Sequence, residues 1–213
     1  MKIEIWSDVV CPWCYIGKRR LERALGQFEH AAEVEITWRS FQLNPDTPPG
    51  TAVPSLDYLA GRFGPQSTAM TGRVAELAKA EGLDFDFGAA LTVNTLDAHR
   101  LLHLAADLGL GGAVKERLLR AHFTEGADLS DHQTLTRLLG EAGAEQDRVR
   151  AVLAGDEYAD AVRADIEQAR QLGASGVPFF VIDRRYGISG AQPAETFLHA
   201  LRTAYTAEDA AAR

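Results

Sequence analysis

The two cysteines of this 213-residue chain stand three apart, as Cys11-Pro12-Trp13-Cys14, between two unlike patterns. Before them runs Ile3, Glu4, Ile5, Trp6, a short apolar segment with strand character. After them the stretch from about Pro12 to Phe28 has helical spacing, with proline placed where a first turn tolerates it. A Cys-x-x-Cys where a strand turns into a helix is a redox arrangement. The helix start carries free N–H groups and partial positive charge, and a thiol that ionises near pH ~8.5 can drop there to roughly 3.5–7.5. Cys14 shares a face with Leu21, Leu25 and Phe28, so it is expected toward the core, with Cys11 at the exposed tip. That would pair an attacking thiol with a sheltered resolving one. Lys18, Arg19, Arg20 and Arg23 read as a solvated face.

Two other uses of the cysteines are weaker. Zinc needs two further ligands, and although His99 and His103 have helical i,i+4 spacing, no second Cys-x-x-Cys exists, so no metal is expected. A structural disulfide is disfavoured in a reducing compartment. The cytoplasm is the expected location, because Met1-Lys2 leads straight into Ile-Glu-Ile-Trp with no signal-like apolar region, and no run approaches a membrane span. The net charge of −8 argues against nucleic acid or an anionic membrane as partner.

Further on, Val34, Ile36 and Trp38 alternate with Glu35, Thr37 and Arg39, predicting a second strand parallel to the first. Asn44-Pro45-Asp46-Thr47-Pro48-Pro49-Gly50 breaks the pattern. From 51 to 173 the chain reads as helices, including one led by Pro65, one capped by Asn94 and one behind a Ser130-x-x-Gln133 capping box. Phe179-Phe180-Val181-Ile182 returns to strand, Asp183-Arg184-Arg185 turns, and Tyr186 to Ser189 pairs back as a hairpin. A last helix carries Phe197, Leu198, Leu201 and Tyr205, and the alanine-rich end, Ala207 to Arg213, is expected to fray. The simplest α/β assembly joins 1–50 and 174–206 into one small sheet domain, with an all-helical domain of 51–173 inserted between its strand-helix-strand and hairpin-helix halves. Apolar helix faces in the insert are compatible with a homodimer.

Gly176-Val177-Pro178 precedes the late strand. Proline there reads either as a strand start or as a cis bond that turns the Val177 main chain outward as an edge for an extended substrate. Together, Asp8-Val9-Val10-Cys11-Pro12-Trp13-Cys14 and Gly176-Val177-Pro178-Phe179-Phe180 resemble the DsbA-like branch of the thioredoxin superfamily. The chain is most similar to the cytoplasmic FrnE-type dithiol-disulfide isomerases, and Trp38 to Pro45 and Asn94 to Arg100 share in that likeness. The resemblance implies a thioredoxin fold with an inserted helical domain, Cys11 as nucleophile, Cys14 as resolving thiol and Pro178 as cis-proline. Val177 and Pro178 would bind substrate, and Pro12, Trp13 and Asp8 would tune the thiols. The resemblance also places the Asn94–Arg100 helix beside the active site, which makes Asn44, Asn94 and His99 candidates to line the cleft. The partner would be a thiol- or disulfide-bearing protein or small molecule. No cofactor is expected beyond the cysteine pair, with glutathione as an optional co-substrate.

Two other classes compete. The same fold hosts kappa-class glutathione transferases and 2-hydroxychromene-2-carboxylate isomerases, which typically carry serine where Cys11 stands and lack the second cysteine. A non-catalytic chaperone-like module using an apolar cleft beside Trp13 is the third reading. Periplasmic DsbA has histidine where Trp13 stands, and that histidine helps hold the thiolate; indole offers neither charge nor acceptor. The couple is therefore expected to be less oxidising than DsbA. Equilibration with glutathione should give a potential more negative than about −120 mV.

Overall fold

The computed structural model describes residues 1–211, and the side chains of residues 1–207. The elements in chain order are β1 (Lys2–Ser7), α1 (Pro12–Leu25), β2 (Glu35–Ser40), β3 (Ala52–Pro54), α2 (Ser55–Phe63), α3 (Ser67–Ala80), β4 (Leu91–Val93), α4 (Leu96–Asp107), α5 (Gly111–Phe123), α6 (His132–Glu141), α7 (Gln146–Ala154), α8 (Ala159–Gln171), β5 (Phe179–Ile182), β6 (Tyr186–Ser189) and α9 (Ala194–Ala211). Of the alanine-rich end, residues 212–213 lie outside the described residues. Among the described residues no helix is long and apolar enough to cross a membrane.

The main sheet has the order β2-β1-β5-β6. β1 and β2 run parallel, with Ile5 opposite Trp38, as their connection through α1 demands. β5 joins the other side of β1 antiparallel, with Ile5 opposite Phe180, and β6 folds back on β5. Asp183 and Arg184, the first two of the three loop residues between Ile182 and Tyr186, both have positive φ, which reverses the chain within the hairpin. α1 and α9 cover one face, burying Leu21, Ala24, Phe197 and Leu201 against Ile3, Ile5, Phe180 and Ile182.

The segment between β2 and β5, expected to be all helical, also holds two strands. β3 and β4 pair antiparallel, with Val53 opposite Thr92. Three-residue strands are too short to show alternation, so helical periodicity dominates the reading of this region. Two caps also differ. α6 starts on Asp131, whose side chain accepts from Thr134 N–H, while Ser130 is held by Asp128. The helix after Pro65 begins at Ser67, one tight turn later.

Leu101, Leu104, Leu118, Leu135, Leu138 and Val149 build a second core within the α4–α7 block, and Val9 from the redox turn is part of it. A third cluster joins Tyr15 and Ile16 of α1 to Ala78, Leu119 and Phe123. On the sheet edge, Asp165 of α8 accepts from Ser40 N–H at 2.8 Å and Arg39 at 3.2 Å, and its carbonyl accepts from Trp6 Nε1 at 2.8 Å.

Of the basic residues of α1, Arg23 is solvated as expected, whereas Lys18, Arg19 and Arg20 are not. Lys18 is nearly buried and bonds Glu116 at 2.6 Å as well as Glu22. Arg19 also pairs with Glu116, and Tyr15 Oη donates to it at 2.6 Å. Arg20 and Arg23 share the buried Glu81. Charge along α1 therefore clamps it to α5 and to the end of α3. Burial alone would raise the Glu116 carboxyl, but bonds from Arg19, Lys18 and Tyr15 bring it down to about 2. A depressed carboxyl contributes stability that is present above pH ~4.5 and lost as pH falls toward 2. With Glu116 about one-third exposed, Glu116→Gln should destabilise the fold by roughly 1–2 kcal/mol at pH 7. The difference from wild type should shrink as pH falls from 4.5 to 2, as read by urea melts at each pH.

Candidate active site

β1 ends in a tight turn, Asp8-Val9-Val10, that delivers the chain into α1. Cys11 N–H reaches the Asp8 carbonyl at 3.3 Å, and Cys14 N–H reaches the Cys11 carbonyl at 3.0 Å. Cys11 occupies the cap position in extended conformation and Pro12 opens the helix. Both cysteines are free thiols and both are buried. The expected exposed tip is thus covered, because the loop before β5 folds over it. Cys11 Sγ–H donates to the Val177 carbonyl at 3.5 Å, and the Val177–Pro178 bond is cis. That close approach depends on Gly17: a Cβ there would lie 3.1 Å from Pro178 Cγ and 3.3 Å from Phe180 Cζ.

Cys11 nevertheless faces a cleft of about 370 Å³, and Cys14 is absent from its lining. Val10, Pro12, Trp13, Gly176 and Val177 form the redox side of the cleft, and α2, α3, β4 and the end of α5 form the other. Trp13 is 39% exposed at its edge. Asn44 lines it as expected, whereas Asn94 and His99 do not. Asn94 is spent as a tie: its oxygen accepts from Leu96 N–H and Gln42, and its amide donates to the Thr47 carbonyl. His99 lies beneath the turn, with Nε2 donating to Asp8 Oδ1 at 3.1 Å.

Asp8 is fully buried, and its second oxygen accepts from Leu43 N–H at 2.8 Å. Burial opposes its charge, but the bonds from His99 and Leu43 and the charge of Lys115 hold the carboxyl below its usual range. Lys115 is the residue that sequence reasoning missed. It sits on α5 with no solvent exposure, its Nζ 3.5 Å from the Ser7 carbonyl and 5.5 Å from the Trp38 ring centre. Burial pushes this ammonium down to about 8, against the pull of Cys14, Asp8 and Cys11. Val114, Leu118 and Leu119 mark α5 as a core helix in the sequence, but a lysine among them reads as a surface residue.

The thiols titrate as one pair. Burial would raise Cys14, but neighbouring Cys11 and the Lys115 charge bring it below its ordinary value. Cys11, beside Cys14 and buried, is pushed well up. Burial and the neighbouring sulfur thus oppose charge on Cys11, and the buried Lys115 cation favours it on Cys14.

A family model described as the DSBA-like thioredoxin domain matches residues 2–202. The chain belongs to the DSBA-like thioredoxin domain family. A probable DsbA oxidoreductase from Streptomyces coelicolor has the same structure at a TM-score of 0.93 and 44% identity, over 97% of this chain and 90% of that one. An uncharacterised Bacillus subtilis protein, YwbO, is 26% identical over 84% of this chain and 86% of its own length. The cytosolic disulfide reductase DsbM from Pseudomonas aeruginosa, solved with glutathione, shares the fold at a TM-score of 0.65 and 21% identity, covering 95% of this chain and 98% of its own. Membership of the DSBA-like family assigns the chain a general role as an oxidoreductase of thiols and disulfides.

Within this DSBA-like chain, Lys115 favours the thiolate and hence the reduced state. Lys115→Met should raise the pH midpoint for iodoacetamide alkylation of the reduced protein by about one unit. The potential should become more negative by about 30 mV, the equivalent of ~1.4 kcal/mol.

Proposed function

We propose that the protein is a cytoplasmic thiol–disulfide oxidoreductase and isomerase that works through Cys11-Pro12-Trp13-Cys14. The observation that carries this reading is the position of Cys11, in the wall of a cleft and against the Val177 carbonyl, while Cys14 stays behind it. Cys11 is the sulfur a substrate can reach, and Cys14 lies behind it. As a substrate disulfide enters, Cys11 gives up its proton to solvent. The Cys11 thiolate then attacks one substrate sulfur, forming a mixed disulfide and expelling the other as a thiolate, which takes up a proton. Cys14, losing its proton, attacks Cys11 Sγ, releases the second substrate thiol and leaves the Cys11–Cys14 disulfide. The reverse sequence oxidises a dithiol. No group beyond the two cysteines carries electrons.

Val177 and Pro178 supply the substrate edge. The Val177 N–H makes no hydrogen bond among the described residues, so an extended chain can pair with it. Pro12 shapes the helix start, Trp13 walls the cleft mouth, and Asp8 fixes the turn that aims Cys11. Glutathione suits the site as the reductant that returns the disulfide to the dithiol, consistent with the fold shared with a reductase solved with glutathione.

Cys11→Ser should abolish reduction of insulin disulfides by dithiothreitol-coupled turnover. Cys14→Ser should retain the first attack and accumulate mixed disulfides, visible as adducts by non-reducing mass spectrometry. Full activity in Cys11→Ser would defeat the mechanism.

A further inference from the structure

Arg62 stands on the last turn of α2, at the cleft that holds Cys11. Most arginines of the chain meet a carboxylate: Arg20 and Arg23 share Glu81, Arg117 reaches Glu125 and Glu141, and Arg148 pairs with Glu157. Arg62 meets none among the described residues. Its Nη1 donates to Tyr58 Oη at 3.0 Å, and its guanidinium carbon lies 5.7 Å from the Phe63 ring centre. The remaining N–H groups of the fork have no partner among the described residues. Tyr58 Oη in turn donates to Asn44 Oδ1 at 2.7 Å, and Tyr58 and Asn44 line the same cleft.

The charge is alone where it stands. Among the described residues the cleft lining holds no carboxylate, and burial lowers His122 to about 4, which leaves Arg62 as the charged group of the cleft near pH 7. The chain as a whole carries −8, so its overall field repels anions. A cation that only complements the C-terminal end of α2 needs nothing but solvent around it. The bonds through Tyr58 to Asn44 do something else: they tie the fork to the loop after β2 and keep it at the cleft. A guanidinium with free N–H groups matches a carboxylate, which it binds through two parallel charge-assisted hydrogen bonds. Holding the fork in place beforehand lowers the entropy cost of that binding. The cleft, at about 370 Å³, has the size of a small-molecule site.

We propose that Arg62, positioned by Tyr58 and Asn44, is a specificity-determining contact that binds a substrate carboxylate, so that the cleft selects low-molecular-weight disulfides whose thiol halves carry a carboxylate. This rests on the thiol–disulfide reading above and deepens it by naming the substrate class. The carboxylate is held and released unchanged; bonds are made and broken only among the sulfurs, as in the exchange already described.

The test uses the prereduced full chain in single-turnover stopped flow, following intrinsic tryptophan fluorescence. The paired probes are 3,3′-dithiodipropionate and its uncharged diamide, and the homodisulfides of N-acetyl-Glu-Cys-amide and N-acetyl-Gln-Cys-amide. Each rate is divided by that of the same probe with dithiothreitol, which removes its intrinsic reactivity. At low concentration dithiodipropionate should outpace its diamide about tenfold, the worth of one charge-assisted contact. That ratio should shrink as sodium chloride rises from about 0.02 to about 0.5 M. Arg62→Gln should bring the ratio below about two by raising the half-saturating concentration of dithiodipropionate, with its limiting rate within about twofold of wild type. Arg62→Lys, which keeps the charge without the fork, should retain a ratio of about three. Tyr58→Phe, which removes the acceptor that holds the guanidinium, should fall between wild type and Arg62→Gln. A wild-type ratio near one, a ratio that survives Arg62→Gln, an equal loss on dithiodipropionate and diamide, or a carboxylate advantage confined to the peptide pair would overturn the proposal. Should Arg62→Gln fail to fold, the wild-type ratio, its salt dependence and Arg62→Lys still decide it. A wild-type protein that reacts with none of the probes overturns the exchange reading itself, and the proposal with it.

Discussion

The carboxylate of Asp8 is buried without exposure, yet it remains charged because three separate parts of the chain converge on it. His99 brings a donor from α4, Leu43 N–H comes from the loop after β2, and the Lys115 charge arrives from α5. A buried charge is tolerable only with such company, since losing a partner leaves several kcal/mol of desolvation uncompensated. The same residue's carbonyl receives Cys11 N–H. One side chain therefore sets the shape of the redox turn and fastens that turn to the helical block. The sheet supplies the strand end and the cis-proline loop, but the inserted helices supply the charges beneath the sulfurs and the far wall of the cleft. Neither half holds the site alone.

That dependence gives physical meaning to the clamps elsewhere. Glu116 and Glu81 gather the basic residues of α1 onto α5 and the end of α3, and Asp165 pins α8 to the edge strand β2. Each contact fixes the insert relative to the helix whose first turn carries the thiols. Lys115 is one residue before Glu116, so the clamp that docks α5 also sets the depth at which the buried ammonium sits. Phe123 and His122 close the same helix at the cleft. A single element thus carries a clamp, a cation and a wall.

Local pattern was enough for much of this. The strand, Cys-x-x-Cys and helix in succession predict a redox pair, and the structure brings the late proline before Phe179-Phe180-Val181-Ile182 against it. Strand pairing followed from alternation and turn residues. What could not be read was set by contacts across long separations. Cys11 is covered because residue 177 folds over it, and no periodicity at residue 11 records that. Lys18, Arg19 and Arg20 looked solvated because their acids lie roughly 60 and 100 positions away. Lys115 and His122 lie on a helix whose apolar residues advertised only a core. Asn94 and His99, expected to line the cleft, do not: their bonds go to the loop and to Asp8.

The buried side-chain polar atoms left without partners among the described residues are Ser7 Oγ, His99 Nδ1 and His122 Nδ1. They belong to different elements, yet each adjoins the same site: Ser7 lies beside the Cys14 sulfur, His99 holds Asp8, and His122 lines the cleft. Folded chains satisfy nearly all buried polar groups, so unsatisfied ones at random would be spread through both cores. The Ser7 hydroxyl has a use when Cys14 becomes a thiolate, which accepts what a neutral thiol accepts only weakly. The three unpaired side-chain atoms thus gather around the cysteine pair and its cleft.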